Sequence, residues 1–341
     1  MKVNIGIFAH NEERSIRRTL SDLTRQDVFK RGEFEISVHI LANGCTDETI
    51  SICNEFAENI GSCFDIKVYD IKESGKSRTW NTFVHDISDQ ECEFLIFQDA
   101  DISLPSESVI SSLIVHLVNN ENLTACPSRP VKDLALTSGK ISLKDRLILA
   151  SSGMLDDWKQ AIAGSLYIVR RESISNVFMP IGLPVEDGYI HAIIQTEAFK
   201  NEGANETKIN APDNVYHVFD SERHVTRIIR HQARLVIGSS INFLIFDFIR
   251  EYTRTYGDFK FEIFKDDELF VKNLIRDRLP NLKFGYIPYH FLFKRLVRFN
   301  RGGNRTNLKG CFLLFVGLGF DCVVYFYAQY LMARGRGQNF W

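Results

Sequence analysis

The first hundred residues alternate short apolar runs with segments of helical periodicity, and this alternation restricts the fold more than any other feature. The first apolar run is Val3 to Phe8, and Ile16, Leu20 and Leu23 then recur at helical spacing. The apolar runs that predict strands lie at 3–8, 36–41, 66–69 and 93–98. Helical patterns separate them, and such an order predicts a mostly parallel sheet with helices on both faces.

Polar residues cluster where three of these four predicted strands end, at positions 9–13, 43–47 and 99–101. In open α/β sheets, ligands bind beyond the carboxyl ends of the strands. The clusters therefore predict a ligand site at one edge of the sheet.

The composition excludes several classes of function. The chain has 341 residues, 45% of them apolar, and a net charge of -2, so no basic field indicates a nucleic-acid partner. Its seven cysteines include no CxxC pair, which argues against a zinc ribbon or a thioredoxin-type motif. The first eight residues lack the basic start and long apolar stretch of a secretory signal, so we expect a reducing, cytoplasmic location.

Two carboxylates, Asp99 and Asp101, end the fourth predicted strand. Such a pair can hold a hard cation and the ribose of a nucleotide, and Mg²⁺ or Mn²⁺ then neutralises a diphosphate leaving group. The triplet alone is equally typical of a solvated turn. Its position after a buried strand favours the metal site.

A second acidic pair, Glu186 and Asp187, follows Pro184. A carboxylate here could remove a proton from an acceptor hydroxyl. Proline followed by acidic residues is also typical of a helix N-terminus. The two interpretations are compatible.

Five segments, in this order, resemble the motifs of family 2 glycosyltransferases of the GT-A superfamily. They are Phe8-Ala9-His10-Asn11-Glu12-Glu13, Asn43-Gly44-Cys45-Thr46-Asp47-Glu48-Thr49, Gly75-Lys76-Ser77-Arg78-Thr79-Trp80-Asn81, Asp99-Ala100-Asp101 and Glu186-Asp187. Phe8 stands where the family has proline. The resemblance covers residues 1–240 and implies a GT-A fold, which is Rossmann-like with a mostly parallel central sheet, and an inverting reaction.

The resemblance also implies roles for the matched positions. The residues that would line the base and ribose pocket are Phe8, Ala9, Glu12 and Asn43. Lys76 would approach the base or the diphosphate, Asp99 the ribose or the metal, and Asp101 the metal. Asp187 would be the catalytic base, with Glu186 helping to place the acceptor.

Three further positions lie where relatives have ligand-binding residues. His217 is either a metal ligand or a strand or loop histidine, and Gly164 either admits the acceptor or is simply a glycine in a strand. Arg234 lies in His-Gln-Ala-Arg-Leu, where processive synthases have Gln-x-x-Arg-Trp. The missing tryptophan predicts a single transfer rather than chain extension. Arg230 and Arg234 either meet a phosphate or lie on a solvated helix face.

The rest of the chain predicts a helical extension. We expect a catalytic domain at 1–220 (nucleotide-sugar half about 1–103, acceptor half about 104–220), a basic and aromatic extension at 221–307 and an apolar segment at 308–341. Residues 311–332 are long enough to span a bilayer, although Asp321 would cost roughly 3 kcal/mol in lipid. Spanning, lying in the interface and packing on protein all remain open. The basic residues before the segment suit anionic headgroups, which predicts a membrane surface as partner, on its cytoplasmic face.

Together these features predict a metal-dependent inverting glycosyltransferase that acts in polysaccharide or glycolipid biosynthesis. It would move one sugar from a nucleoside-diphosphate sugar, with a UDP-sugar expected, to a glycan or lipid-linked acceptor. One alternative is a sugar-phosphate nucleotidyltransferase, whose glycine-rich loop is missing at residues 9–13. The other is a non-catalytic nucleotide-sugar-binding membrane module, against which the intact acidic residues argue.

Overall fold

The computed structural model describes residues 1–61, 64–137, 145, 158–281, 285–301 and 308–336. Most of 138–157 in the predicted acceptor half, 302–307 in the basic extension (with Arg305) and the last five residues of the apolar segment lie outside these ranges.

The strands occur where the apolar runs predict them, with additional short strands in the second half. In chain order they are β1 (Lys2–Ala9), β2 (Glu35–Asn43), β3 (Asp65–Ile71), β4 (Phe94–Asp99), β5 (Ile102–Ser103), β6 (Ala125–Pro127), β7 (Arg129–Lys132), β8 (Leu166–Arg170) and β9 (Tyr216–Phe219).

Helices separate the first four strands and make up most of the C-terminal part. They are α1 (Ile16–Thr24), α2 (Val28–Arg31), α3 (Thr49–Asn59), α4 (Lys76–Thr82), α5 (Val109–Val118), α6 (Asp133–Leu136), α7 (Glu186–Gln195), α8 (Val225–Tyr256), α9 (Phe270–Arg278), α10 (His290–Arg301) and α11 (Leu308–Ala333). A π-helical turn, Phe83–Ile87, continues α4. Single 3-10 turns occur at Trp158–Gln160, Arg171–Ser173, Glu206–Lys208 and Phe261–Phe264.

Within the described residues, the main sheet has six strands in the order β3-β2-β1-β4-β8-β6. β1 pairs in parallel with β2 and β4, and β2 pairs in parallel with β3. β8 and β6 complete the sheet in antiparallel pairings. The mostly parallel sheet predicted from the alternating pattern is therefore confirmed.

Apolar side chains of β1 alternate between two cores because successive residues of a strand point to opposite faces. Ile5 and Ile7 pack with Ile16 and Leu20 of α1 on one face. Phe8 packs on the other face with Phe83. The helix face predicted from Ile16, Leu20 and Leu23 is thus fully buried.

The register of the parallel strands brings the predicted ligand clusters to one edge. Phe8 lies opposite Asp99, Ala9 opposite Ala42, and Asn43 opposite Ile71. A second small sheet, β5-β9-β7, begins just beyond Asp101. The chain after each strand end therefore opens onto the same side of the molecule.

The C-terminal part is helical, as predicted, and among its described residues two helices are long and apolar enough to cross a membrane. These are Val225–Tyr256, whose most apolar window is 44% buried, and Leu314–Ala333, where the window is only 17% buried. α8 packs against α7, α9 and α11, and α10 packs against α11. α8 is accordingly half covered by protein, whereas α11 presents most of its surface outward.

Candidate active site

Asn43 joins three loops at the carboxyl edge of the sheet. Its buried side-chain amide donates to the carbonyl of Ala9 at 2.9 Å. Its side-chain oxygen accepts from the backbone N–H of Gly75 at 3.2 Å, and its own carbonyl oxygen lies 2.7 Å from Nδ1 of His10. One side chain thus fixes the loops after β1 and β2 relative to the start of α4.

Asp47 and Thr49 reinforce this junction from the second motif. Asp47 accepts hydrogen bonds from the N–H of Glu13 and from the hydroxyl of Thr49. Thr49 in turn accepts from the N–H of Glu12 at 2.7 Å. Burial acts to raise the pKa of Asp47, but these hydrogen bonds hold it below its ordinary value. The first two motifs therefore form one hydrogen-bonded unit.

Phe8 and Ala9, which the resemblance assigns to the base pocket, have buried side chains. The Phe8 ring lies 6.0 Å from that of Phe97, in a stack that continues from Phe97 to Trp80 and Tyr167. Ala9 is fully buried in the opposite core. Only their backbone can therefore face a ligand, while their side chains set the shape of the strand end.

Lys76 lies between the two acidic motifs. Its ammonium nitrogen is 2.7 Å from Oδ1 of Asp99 and 2.7 Å from Oε1 of Glu186, and all three side chains are at least three-quarters buried. Burial would lower the pKa of Lys76, but the two carboxylates raise it overall. The structure thus places Lys76 as a permanently charged bridge between the third strand–helix motif and both acidic motifs.

The carboxylates around Asp99 repel one another. Burial raises the pKa of Asp99 to about 6, with Lys76 opposing this and Asp101 adding to it. Burial and then the charge of Glu12 raise the pKa of Asp101. Burial also raises the pKa of Glu12, to which the charge of Asp99 contributes. Carboxylates that destabilise one another are the donors that a hard divalent cation would stabilise, so these residues fit Mn²⁺ or Mg²⁺.

His217 does not join this group. It lies fully buried in β9, with Nδ1 3.1 Å from the hydroxyl of Ser128. Burial lowers its pKa to about 3, so the ring is neutral. In the part of the chain that the structure describes, no three His, Cys, Asp or Glu side chains are close enough to hold a metal ion. Asp99, Asp101 and His217 therefore do not form a preassembled three-ligand site.

Glu186 and Asp187 form the first turn of α7, so the pair does lie at a helix N-terminus, as one of its two interpretations predicts. Burial acts to raise the pKa of Glu186, but Lys76 holds it below its ordinary value. Burial, reinforced by the adjacent charge of Glu186, raises the pKa of Asp187 to about 6. The pKa values of the two neighbouring carboxyls thus shift in opposite directions. This is expected when one carboxyl holds the site together and the other exchanges a proton.

Gly164 lies against Asp187. Its φ of +57° is in the left-handed region, and a Cβ there would come within 3.3 Å of Cβ of Asp187. The backbone conformation favours glycine here, and an added Cβ would press on Asp187. Gly164 precedes β8 (Leu166–Arg170) and is not part of the strand.

The long helix α8 supports the acidic pair, and sequence reasoning missed most of that support. Asn242 is buried and donates to the carbonyl of Val185 at 2.9 Å. Gly238 lets Val185 approach the helix, since a Cβ would come within 2.2 Å of Val185 Cγ2. Arg234, one turn before Gly238, lies close enough to lower the pKa of both acidic residues. In the sequence, the signals of this support were an asparagine and a glycine inside a long helical pattern.

The comparisons with known proteins identify the family. The profile described as Glycosyl transferase family 2 matches residues 4–178, about half of the chain. The chain belongs to glycosyl transferase family 2. Residues 4–178 include four of the five motif segments, so the resemblance of those motifs is confirmed at the level of the family. No curated protein matches the chain.

Solved structures share the fold of this family 2 glycosyltransferase. One is the mannosyltransferase PcManGT from Pyrobaculum calidifontis in complex with GDP-Man and Mn²⁺. It is 15% identical, with a TM-score of 0.54, and the match covers 96% of this chain and 86% of that one. The GT-A fold is therefore confirmed, including the helical C-terminal region.

Two other solved structures are more distant from this transferase. Glucosyl-3-phosphoglycerate synthase from Mycobacterium tuberculosis, in complex with Mg²⁺ and UDP, is 16% identical with a TM-score of 0.45 (69% of this chain, 78% of that one). S. aureus TarS 1-349 in complex with UDP-GlcNAc is also 16% identical with a TM-score of 0.45 (100% and 93%).

Proposed function

We propose that this family 2 glycosyltransferase moves a single sugar, with inversion, from a nucleoside-diphosphate sugar to a glycan or lipid-linked acceptor, using Mn²⁺ or Mg²⁺. A UDP-sugar is the expected donor. The observation that carries the proposal is the contact of Lys76 with both Asp99 and Glu186 at 2.7 Å. It joins the proposed donor and acceptor motifs into one site.

On the donor side, the chain supplies carboxylates and backbone groups. Asp99 and Asp101 would hold the cation, which would neutralise the charge of the diphosphate leaving group. Glu12, on the loop after β1 that Asn43 and Thr49 hold in place, would bind the nucleoside.

On the acceptor side, Asp187 would accept the proton of the attacking hydroxyl. Its pKa of about 6 lies just below neutral pH, where a base is both ionised and able to take a proton. Glu186 would stay ionised through its contact with Lys76 and hold the N-terminus of α7. Gly164 leaves the space beside Asp187 open, and Arg234 would bind an anionic group of donor or acceptor.

The apolar C-terminal helices favour an association with a membrane. We place the enzyme at the cytoplasmic face, where a lipid-linked acceptor would be available. The exposed basic residue Lys294 of α10 suits the anionic headgroups of that leaflet.

The deciding experiment is a donor screen over UDP-, GDP- and dTDP-sugars with and without Mn²⁺, which follows sugar transfer and donor hydrolysis. We expect hydrolysis of one donor class that requires metal and is lost in Asp101→Ala and Asp187→Asn. Asp213→Asn, an exposed carboxylate paired with Lys159, serves as the control. Full rates in both site variants would refute the assignment. Release of pyrophosphate from a sugar phosphate and a nucleoside triphosphate would favour the nucleotidyltransferase instead.

A further inference from the structure

Helix α11 pairs Asp321, the charged residue in the middle of its apolar stretch, with the neighbouring helix. Nε and Nη2 of Arg295 on α10 donate to the two carboxylate oxygens of Asp321 at 2.8 and 3.0 Å. Gly317, one turn before Asp321, makes room for the guanidinium, because a Cβ there would come within 2.6 Å of Cδ of Arg295. The residue that would be costly in lipid is thus neutralised on the side of α11 that faces α10.

The second polar residue of α11 is used in the same way. Gln329 accepts from the backbone N–H of Tyr286 at 2.9 Å and donates to the carbonyl of Ile287 at 3.1 Å. Tyr325, one turn earlier, donates to the same carbonyl at 3.0 Å. Two turns of α11 are therefore tied by hydrogen bonds to the chain that precedes α10, and that side of the helix cannot face lipid.

The opposite side of α11 is apolar and exposed. Phe315 is 77% exposed and Phe326 66% exposed. With them, the outer face of α11 consists of Phe315, Val316, Val323, Phe326 and Tyr330. This stripe is about 22 Å long at 1.5 Å per residue. An exposed apolar strip of this size on a protein surface marks an interaction site.

Helices α10 and α8 carry exposed apolar side chains of their own. Phe293 and Val297, one turn apart on α10, are about half exposed. Each is two residues from Arg295, which contacts α11, so both lie on the other side of α10. Phe243 of α8 is also half exposed, and its ring meets that of His290 edge-on at 6.0 Å. The outer face is therefore formed by α11.

Charge indicates what covers this surface. Residues 290–336 contain eight Lys or Arg residues and a single acidic one, Asp321, although the whole chain has a net charge of -2. Because Asp321 is already paired with Arg295, the remaining basic residues have no acidic partner within this region. An apolar stripe in a basic stretch of the sequence matches a membrane with anionic headgroups.

We propose that the outer face of α11 lies in the headgroup–acyl boundary of an anionic membrane, with α11 along the surface rather than across the bilayer. A spanning α11 would have to carry α10 and residues 286–287 into the hydrocarbon, because Asp321 and Gln329 bind them. The inference rests on the proposed function, since it brings the active site to a lipid-borne acceptor.

The test is vesicle flotation of the full chain with phosphatidylcholine vesicles, with and without phosphatidylglycerol. We expect flotation only with the anionic vesicles. Phe315→Glu and Phe326→Glu together should lower the bound fraction at least tenfold, whereas Val115→Glu, at a similarly apolar exposed position of α5, should leave it unchanged. All variants should keep the wild-type rate of donor hydrolysis, which shows that they fold.

Three results would overturn the proposal. The first is no flotation, or flotation that the face variants leave intact. The second is wild-type protein that stays with the vesicles in alkaline carbonate, as a spanning helix does. The third is a wild-type dimer that the face variants convert to monomer, which means that a second copy covers the face. Asp187→Asn should float like the wild type, so loss of transfer and loss of docking are separately visible.

Discussion

The ammonium nitrogen of Lys76 lies 2.7 Å from a carboxylate oxygen of Glu186, although 110 residues separate them in the chain. The same nitrogen contacts Asp99. A buried cation between two buried carboxylates is costly to disturb, since removing one partner leaves the others uncompensated. The geometry of the proposed site and the stability of the fold therefore depend on the same three side chains.

Replacing Lys76 by glutamine should destabilise the protein by about 3 kcal/mol near neutral pH, because two buried carboxylates lose their counter-charge. The loss should shrink toward pH 5. Without Lys76, burial raises the pKa values of Asp99 and Glu186, so both carboxyls take up protons and lose their charge as the pH falls. Urea unfolding at several pH values measures this. Lys72→Gln removes an exposed lysine from its pair with Asp70 and should cost at most about 0.5 kcal/mol. Equal losses for the two variants would contradict the buried bridge.

Asp187→Asn should lower kcat by a factor of roughly 10² to 10⁴. In the wild type, the Asp187 pKa of about 6 requires kcat at saturating donor to fall as pH drops through 6 and to level off above about pH 7. A rate that stays constant from pH 5 to 8 would exclude Asp187 as the base.

The same pKa shift predicts how stability depends on pH. An acid whose folded pKa is raised makes the folded state take up a proton that the unfolded state lacks, between about pH 4 and 6. The resulting destabilisation is present above this window and absent below it. Asp187→Asn should therefore stabilise the fold by about 3 kcal/mol at pH 7 and have little effect at pH 4. Thermal unfolding at both pH values provides the comparison.

Gly164→Ala should reduce kcat by about tenfold, because the new Cβ would press on Asp187 and a small displacement of a base costs that much. Gly32→Ala is the matched control. Gly32 has a similar φ of +67° but open space around it, so both variants should lose about 1 kcal/mol of stability to backbone strain. If Gly32→Ala impaired kcat equally, contact with Asp187 would not be the cause.

Asn43→Ala should cost about 2 kcal/mol of stability, since the carbonyl of Ala9 and the N–H of Gly75 both lose their partner in a buried place. Donor affinity should weaken as well, because the loops after β1 and β2 are no longer fixed. Isothermal titration with UDP and Mn²⁺ measures the second effect. Asn120→Ala removes an exposed side chain bonded to a helix-end carbonyl and should change neither quantity appreciably.

Mn²⁺ with a nucleoside diphosphate should stabilise the wild type by about 2.7 kcal/mol at a hundredfold excess over Kd. Asp101→Asn should abolish this stabilisation without destabilising the free protein, because Asp101 is repelled by Glu12 and has an already raised pKa. Differential scanning fluorimetry with and without EDTA measures the shift. A full Mn²⁺-dependent shift in the variant would show that Asp101 is not a metal ligand.

The amino-acid sequence alone determined the parallel sheet and the identity of the motif residues. Strand and helix patterns are local, with periods of 2 and 3.6 residues, and the carboxyl ends of parallel strands must meet at one edge. The clusters at Asn43 and Asp99 were therefore predictable.

Only the tertiary structure decided which side chains touch. Lys76 was expected near the base or diphosphate and lies between two carboxylates. His217 is buried beside Ser128 and belongs to no three-ligand group in the described residues. Asp321 is paired with Arg295. These contacts join segments far apart in the chain. Their energies depend on burial and on the charge of the partner, neither of which a local pattern contains.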